Sequence, residues 1–266
     1  MTNATVPLTR RRFLETERRD FWWVQPLLIL LALGSFGVYS AWAAFQGRNY
    51  TYGPYLSPFY SPELFGESPH AIFGIRPAWW PGWLRFSPAL LILPFPLFFR
   101  LTCYYYRGSY YKAFWADPPG CAVGEPRQTY LGERTFPLIL QNAHRYFMYI
   151  ALLFIFILAY DAWKALWWPT PDGGTRFGLG LGAIILTVNV VCLAGYTLGC
   201  HSLRHVLGGW RDQFSRRPAF RYPYRCVTCL NDKHHRWAWV SLFTVGFSDI
   251  YIRLCASGIW SDLRIF

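Results

Sequence analysis

The sequence predicts an all-α integral membrane protein: a bundle of five transmembrane helices with its N-terminus in the cytoplasm. Three observations carry that prediction. Only 15% of the 266 residues are charged while 53% are apolar, against about 25% charged in an ordinary soluble domain. The charges sit in clusters separated by long uncharged runs. Those clusters alternate between rich and poor in Lys and Arg along the chain. An aromatic content of 20% excludes a disordered chain. A net charge of +12 taken alone suggests nucleic acid. A nucleic-acid binder, however, carries its cations on a soluble surface, whereas these flank apolar runs. Nucleic acid is therefore excluded as a partner and membrane lipid expected.

A helix needs about 20 mostly apolar residues to cross the hydrocarbon core, and five segments qualify after a tail of residues 1–20. The first, about 21–45, has no charge. The second, about 84–106, is interrupted by Pro88, Pro94 and Pro96 and carries Arg85 and Arg100. The third, about 137–160, has His144 and Arg145 near its start. The fourth, about 177–203, opens with Gly178, Gly180 and Gly182, a small-residue run read as a site of close helix packing. The fifth, about 237–260, holds Asp249 and Arg253 four residues apart, read as a structural ion pair with a proton path as the alternative. Trp22, Trp23, Trp42, Trp167, Trp168, Trp237 and Trp260 fall at segment ends, where interfacial rings collect. Together the five make one membrane domain, residues 21–266. Seventeen Lys and Arg flank the spans on the N-terminal side of the membrane and six on the other, which sets the cytoplasmic side. The run Thr9–Leu14 fits a twin-arginine export signal, but Glu15, Glu17 and Asp20 precede a long, tryptophan-flanked apolar run, so the first helix is read as retained.

Ten of the thirteen Cys and His residues fall toward the cytoplasmic side of this topology. They include Cys103, Cys121, His144, Cys200, His201, His205, Cys226, Cys229 and His234. Imidazole and thiolate bind iron, copper or zinc, and an ionisable group inside a membrane helix usually has a partner or a function. Three centres fit: haem b between facing histidines such as His144 and His201, zinc on Cys226, Cys229 and His234 in a membrane scaffold without redox function, or a Rieske-type [2Fe–2S] cluster on two cysteines and two histidines. Arg100, followed closely by Tyr104 and Tyr105, is a candidate site for a quinone carbonyl. Arg100 snorkelling to the headgroups is the structural alternative.

Several strings then occur together in order: DFWWVQPL at 20–27, PYLSPFYSPEL at 54–64, FRLTCYYYR at 99–107, PPGCAVGEP at 118–126, QNAHRYF at 141–147, CHSLRH at 200–205 and SDIYIRL at 248–254. Over nearly its whole length the chain resembles the membrane-anchor subunit of actinobacterial-type succinate dehydrogenase, a five-helix form of complex II. The resemblance implies a subunit of the bacterial cytoplasmic membrane that takes electrons from a flavoprotein and an iron–sulfur protein and delivers them to menaquinone, itself without succinate chemistry. It also implies a membrane-embedded Rieske-type cluster in place of haem b. Matching positions supply Cys103, Cys121, Cys200, His144, His201, His205 and His234, with Cys121, Cys200, His144 and His205 the favoured four. Cys226 and Cys229 fall outside the pattern and leave an accessory metal site or two plain thiols open.

Overall fold

The computed structural model describes residues 20–114, 134–136, 138–209 and 218–266. Cys121 and the five arginines at positions 10–19 lie outside them. Among the described residues four helices are long and apolar enough to cross a membrane. These are α1 (Val24–Gln46), α5 (His144–Lys164, entered through a 3-10 turn at Leu138–Ala143), α6 (Leu181–Leu198) and α9 (His234–Ala256). They match the first, third, fourth and fifth expected segments, each shifted by a few residues.

The second expected segment is instead three short helices: α2 (Ala89–Ile92), α3 (Pro94–Leu101) and α4 (Tyr104–Phe114). Proline lacks the amide for the i−4 carbonyl and its ring crowds that carbonyl, so Pro94 and Pro96 divide α2 from α3 while suiting the first turn of α3. The segment nevertheless runs antiparallel to α1. Ala89 packs with Ala43 and Ala44 at one end, while Cys103 and Tyr104 face the same cavity as Gln25 and Ile29 at the other. α3 lies on α5, α4 lies on α1, and α6 is the hub, packed on α5 and α9.

One end of the bundle is closed by a cap. Residues 47–88 contain a small hairpin, β1 (Thr51–Tyr52) on β2 (Tyr55–Leu56), and a second hairpin joins β3 (Trp167–Pro169) to β4 (Thr175–Phe177). The cap has an aromatic core of its own: Tyr50 and Tyr60 stack with ring centroids 4.2 Å apart, and Tyr50 donates to the buried Glu63 carboxylate at 2.8 Å. The glycine run packs against this cap and not against another helix. A Cβ on Gly182 would stand 2.3 Å from the Tyr55 ring. The Gly182 amide, in the open first turn of α6, is satisfied by Asp262 at 2.9 Å. Trp237 likewise leaves the expected interfacial belt, because its ring packs on Gly195 inside the bundle.

The cap is tied to the helices by Asp249 and Arg253 of α9. Arg253 Nε donates to Asp249 at 2.6 Å, and its Nη atoms donate to the carbonyls of Arg48 (2.9 Å) and Ala43 (3.2 Å). Asp249 also accepts from Tyr39 at 2.5 Å and from Ser57. Both carboxylate oxygens are thus engaged, by the cap and by two helices, so the pair is structural.

Two predictions follow from the cap. Replacing Arg253 by Met leaves a buried carboxylate uncompensated and costs about 3–5 kcal/mol. In thermal unfolding of the solubilised protein, the Asp249→Asn/Arg253→Met double variant loses less than the two single losses added. Burial, with Lys164 nearby, pushes His70 from 6.5 down to about 4. The folded cap therefore refuses a proton that the unfolded chain accepts, so stability is full above pH 6.5 and declines as pH falls toward 4. His70→Gln flattens that decline in unfolding midpoints measured across the same range.

Candidate cysteine–histidine centre

Two backbone breaks build the site. The first, at Thr102–Cys103, separates α3 from α4. Thr102 Oγ1 donates to the Phe98 carbonyl at 2.6 Å, and a hydroxyl bonded back to i−4 loosens a helix there. The second, at Gly199–Cys200, separates α6 from α7 (His201–Gly208). Cys200 is extended (φ −66, ψ 137). Only glycine fits before it: a Cβ on Gly199 would lie 2.8 Å from the Gly195 oxygen and 3.1 Å from the backbone of Leu230. That close approach admits α8 (Pro218–Asp232), whose Asn231 donates to the Gly199 carbonyl at 2.8 Å. Each break ends in a buried cysteine.

Each thiol faces an imidazole. Cys200 Sγ is 3.2 Å from His144 Nε2, and Cys103 Sγ is 3.5 Å from His234 Nε2. Phe99 stacks on His144 (4.8 Å, 6°) and Tyr196 on His234 (4.9 Å, 18°), with Phe99 edge-on to Tyr196 at 5.3 Å. The ring of His144 has a defined tautomer. The single Thr102 hydroxyl proton goes to Phe98, so toward His144 Nδ1, 2.9 Å away, Thr102 accepts. Nδ1 therefore carries the proton and the Nε2 lone pair points at Cys200, the arrangement that second-sphere partners impose on ligating histidines.

Cys103, His144, Cys200 and His234 all line one open cavity of about 650 Å³. Among the described residues no three His, Cys, Asp or Glu groups close on a single point, as one ion would require. Each thiol faces an imidazole, whereas a Rieske-type centre takes both imidazoles on one iron and both thiolates on the other, so the comparison rests on the donor types: two sulfurs and two nitrogens lining one cavity. His234 Nδ1 is buried without a hydrogen-bond partner among the described residues, one polar atom of the set still open. The donors thus fit the Rieske-type set in number and kind.

Of the other expected ligands, His201 reaches the cavity rim but is exposed. His205 is exposed on α7 and does not line the cavity. Cys226 and Cys229 are exposed on α8, and His234 faces Cys103 instead of them, so the zinc trio is not brought together. His144 likewise faces Cys200 instead of His201, the facing pair that haem b would need.

The expected quinone residues are divided. Tyr104 and Tyr105 line the open cavity, with Tyr105 accepting from Trp239 Nε1 at 2.7 Å. Arg100 does not snorkel. It turns inward, donating to Tyr106 (2.5 Å), the Ala238 carbonyl (3.3 Å) and Ser241 (3.0 Å), with its guanidinium 4.7 Å over Tyr196. It is the one charged residue lining a second, apolar cavity of about 380 Å³ between α1, α3, α5 and α6. Phe99 and Tyr196 form part of that wall too, so a single aromatic layer divides the two cavities. Thr102, Phe99 and Tyr196 were missed in the sequence. Thr102 adjoins Cys103, and Tyr196 is a phenol in an otherwise apolar run, which was the available signal.

The profile of a known family, described as actinobacterial succinate dehydrogenase subunit SdhC, matches residues 24–258. Among solved structures, a chain of the Mycobacterium smegmatis Sdh1 complex in the apo form is 44% identical, over 98% of this chain and 98% of that one, with a TM-score of 0.83. No curated protein matches the chain.

Tyr106 donates to the Ala238 carbonyl at 2.6 Å while accepting from Arg100. Tyr106→Phe therefore strips a buried carbonyl and a half-buried cation of a partner, at a cost of about 1–3 kcal/mol. The readout is a lower unfolding midpoint of the solubilised protein. An Arg100→Lys variant also falls, because a point charge cannot serve three separated acceptors.

Proposed function

The chain belongs to the actinobacterial succinate dehydrogenase SdhC family, a multi-pass subunit of the bacterial inner membrane, and on that premise we propose that it relays electrons from the flavoprotein and iron–sulfur subunits of the complex to menaquinone. The observation that carries this reading is that two Cys–His pairs, Cys103 with His234 and Cys200 with His144, line one cavity an aromatic layer away from an apolar cavity bearing Arg100. In this reading the broken segment 89–114 is the fifth crossing. The N-terminus is cytoplasmic, by the seventeen-to-six excess of Lys and Arg. The Cys/His end then faces the cytoplasm, where the partner subunits dock.

A Rieske-type [2Fe–2S] cluster, when bound, supplies a one-electron carrier whose histidine ligation raises its potential above that of all-thiolate clusters. The residues of this chain do the rest. Cys103 and Cys200 supply the sulfur ligands, His144 and His234 the nitrogens. This set replaces Cys121 and His205 of the sequence expectation with Cys103 and His234. Thr102 holds the proton of His144 on Nδ1, leaving Nε2 free to ligate. Phe99 and Tyr196 hold the imidazoles by stacking and exclude water. Menaquinone lies in the apolar cavity with its headgroup toward Arg100, which offers hydrogen-bond donors and positive charge; Tyr104 and Tyr105 serve the open cavity.

The test is metal and acid-labile sulfide analysis with paramagnetic resonance on the purified complex. The expected wild-type result is a Rieske-like signal with no Soret band. Cys200→Ser and His144→Ala remove that signal and quinone reduction, while succinate still reduces an artificial dye. Cys226→Ser/Cys229→Ser leaves all of these unchanged. Iron content unaltered by the Cys200 and His144 variants, or zinc lost with Cys226 and Cys229, overturns the assignment.

A further inference from the structure

Within the cap, one stretch presents apolar side chains that stay exposed among the described residues. Ile72, Phe73, Ile75, Trp79 and Trp83 all stand exposed, Trp83 at 85% and Ile75 at 73%. A patch of this kind on an ordered surface marks an interaction site. This one is ordered by a hydrogen-bonded frame beneath it. The amides of Ile72 and Phe73 donate to the carbonyls of Glu63 and Leu64 at 3.0 and 2.9 Å. Arg76 donates to the carbonyls of Trp80 and Pro81 at 3.2 and 3.3 Å. Trp80 is turned inward, where its Nε1 donates to the Leu84 carbonyl at 2.9 Å and its ring meets Phe86 edge-on at 5.2 Å. The outward apolar tips are therefore held out.

Two further observations say what covers them. The stretch is rooted beside Gly47, whose backbone approaches the Phe86 oxygen and Ser87, next to the last turns of α1. There Trp42 and Phe45 face outward from a membrane-spanning helix, so the patch continues a lipid-facing surface. Residues 71–86 also contain Arg76 and Arg85 and no acidic residue, the pairing of aromatic rings and cations that settles at a headgroup boundary.

We propose that residues 72–85 form an interfacial anchor, with Phe73, Trp79 and Trp83 seated at the headgroup–acyl boundary of the leaflet at this end of the bundle and Arg85 directed to lipid phosphate. The test uses the whole complex in nanodiscs of phosphatidylcholine and phosphatidylglycerol, carrying Cys226→Ser/Cys229→Ser as the labelling blank. An environment-sensitive fluorophore is attached through Trp83→Cys. A second site, Asp172→Cys, is the aqueous control, since Asp172 is exposed in the turn between β3 and β4 at the same end. The expected result at position 83 is blue-shifted emission, quenching by lipids spin-labelled near the headgroup, and iodide quenching several-fold weaker than at position 172. Iodide quenching equal to that at 172 places the patch in water and overturns the anchor. Protection from both iodide and lipid-borne quencher places it under protein, a partner or a second copy, and overturns it equally. Phe73→Cys repeats the measurement if the Trp83 variant does not assemble.

Discussion

A guanidinium buried within a membrane-spanning helix has no water to turn to, and Arg253, only 7% exposed, is in that position. Its donors go to Asp249 one turn earlier and to two main-chain carbonyls, Ala43 at the end of α1 and Arg48 just beyond it. Asp249 returns the connection through Tyr39 of α1 and Ser57 of the cap. The rings of Trp42 and Tyr60 flank the cation at 5.6 and 5.5 Å. Leaving either charge unpaired costs several kcal/mol. The end of α1, the cap and α9 therefore have one arrangement relative to one another, and the stacked tyrosines and the Gly182 contact are built upon it.

Arg100 does related work at the other end with different partners. It lies in the last turn of α3 and bonds to Ala238 and Ser241 of α9 and to Tyr106 of α4. It thus fixes the broken segment against α9 across the block that contains both thiols and both imidazoles. Proline divides α2 from α3, and the Thr102 hydroxyl loosens the turn before Cys103. Such a segment has weaker internal support than an unbroken helix, and its placement rests on these tertiary bonds.

Most of the fold was legible because a bilayer demands long uncharged runs and punishes unpaired charge, both of which can be read from composition. The Asp249/Arg253 spacing gave the ion pair directly. The gathering of Cys and His at one end was legible for the same reason, since span order assigns residues to ends. Which of them meet was not. His201 and His205 share a helical face by spacing, yet α7 turns both to the surface, because the chain changes direction at Gly199–Cys200. That break depends on the close approach of α8 to Gly199, a contact distant in sequence. His234 looked like one of a pair of loop histidines beside Cys226 and Cys229, but it is the first residue of α9, and the inward face of that helix is set by Arg100 and Tyr196. Tertiary contacts chose the ligand set, and no local pattern encodes them.

The two inward-turned arginines differ in one respect that separates scaffold from site. Arg253 is neutralised by a carboxylate at 2.6 Å, so its field beyond the pair is small. Arg100 is bonded to a phenol, a hydroxyl and a carbonyl, all neutral. Its charge is therefore uncompensated by these partners, and it projects into a cavity whose lining is otherwise apolar or uncharged. In such low-dielectric surroundings a fixed cation acts strongly on any oxygen that gains negative charge beside it, and being already in place it needs no reorganisation to do so. Within the proposed relay, a quinone carbonyl that accepts electrons in that cavity is stabilised by Arg100 as charge develops. A neutral carbonyl in the same place gains only a hydrogen bond. That difference between charged and uncharged states is what an electron-accepting site requires, and it is lost if a carboxylate is placed where Ser241 stands.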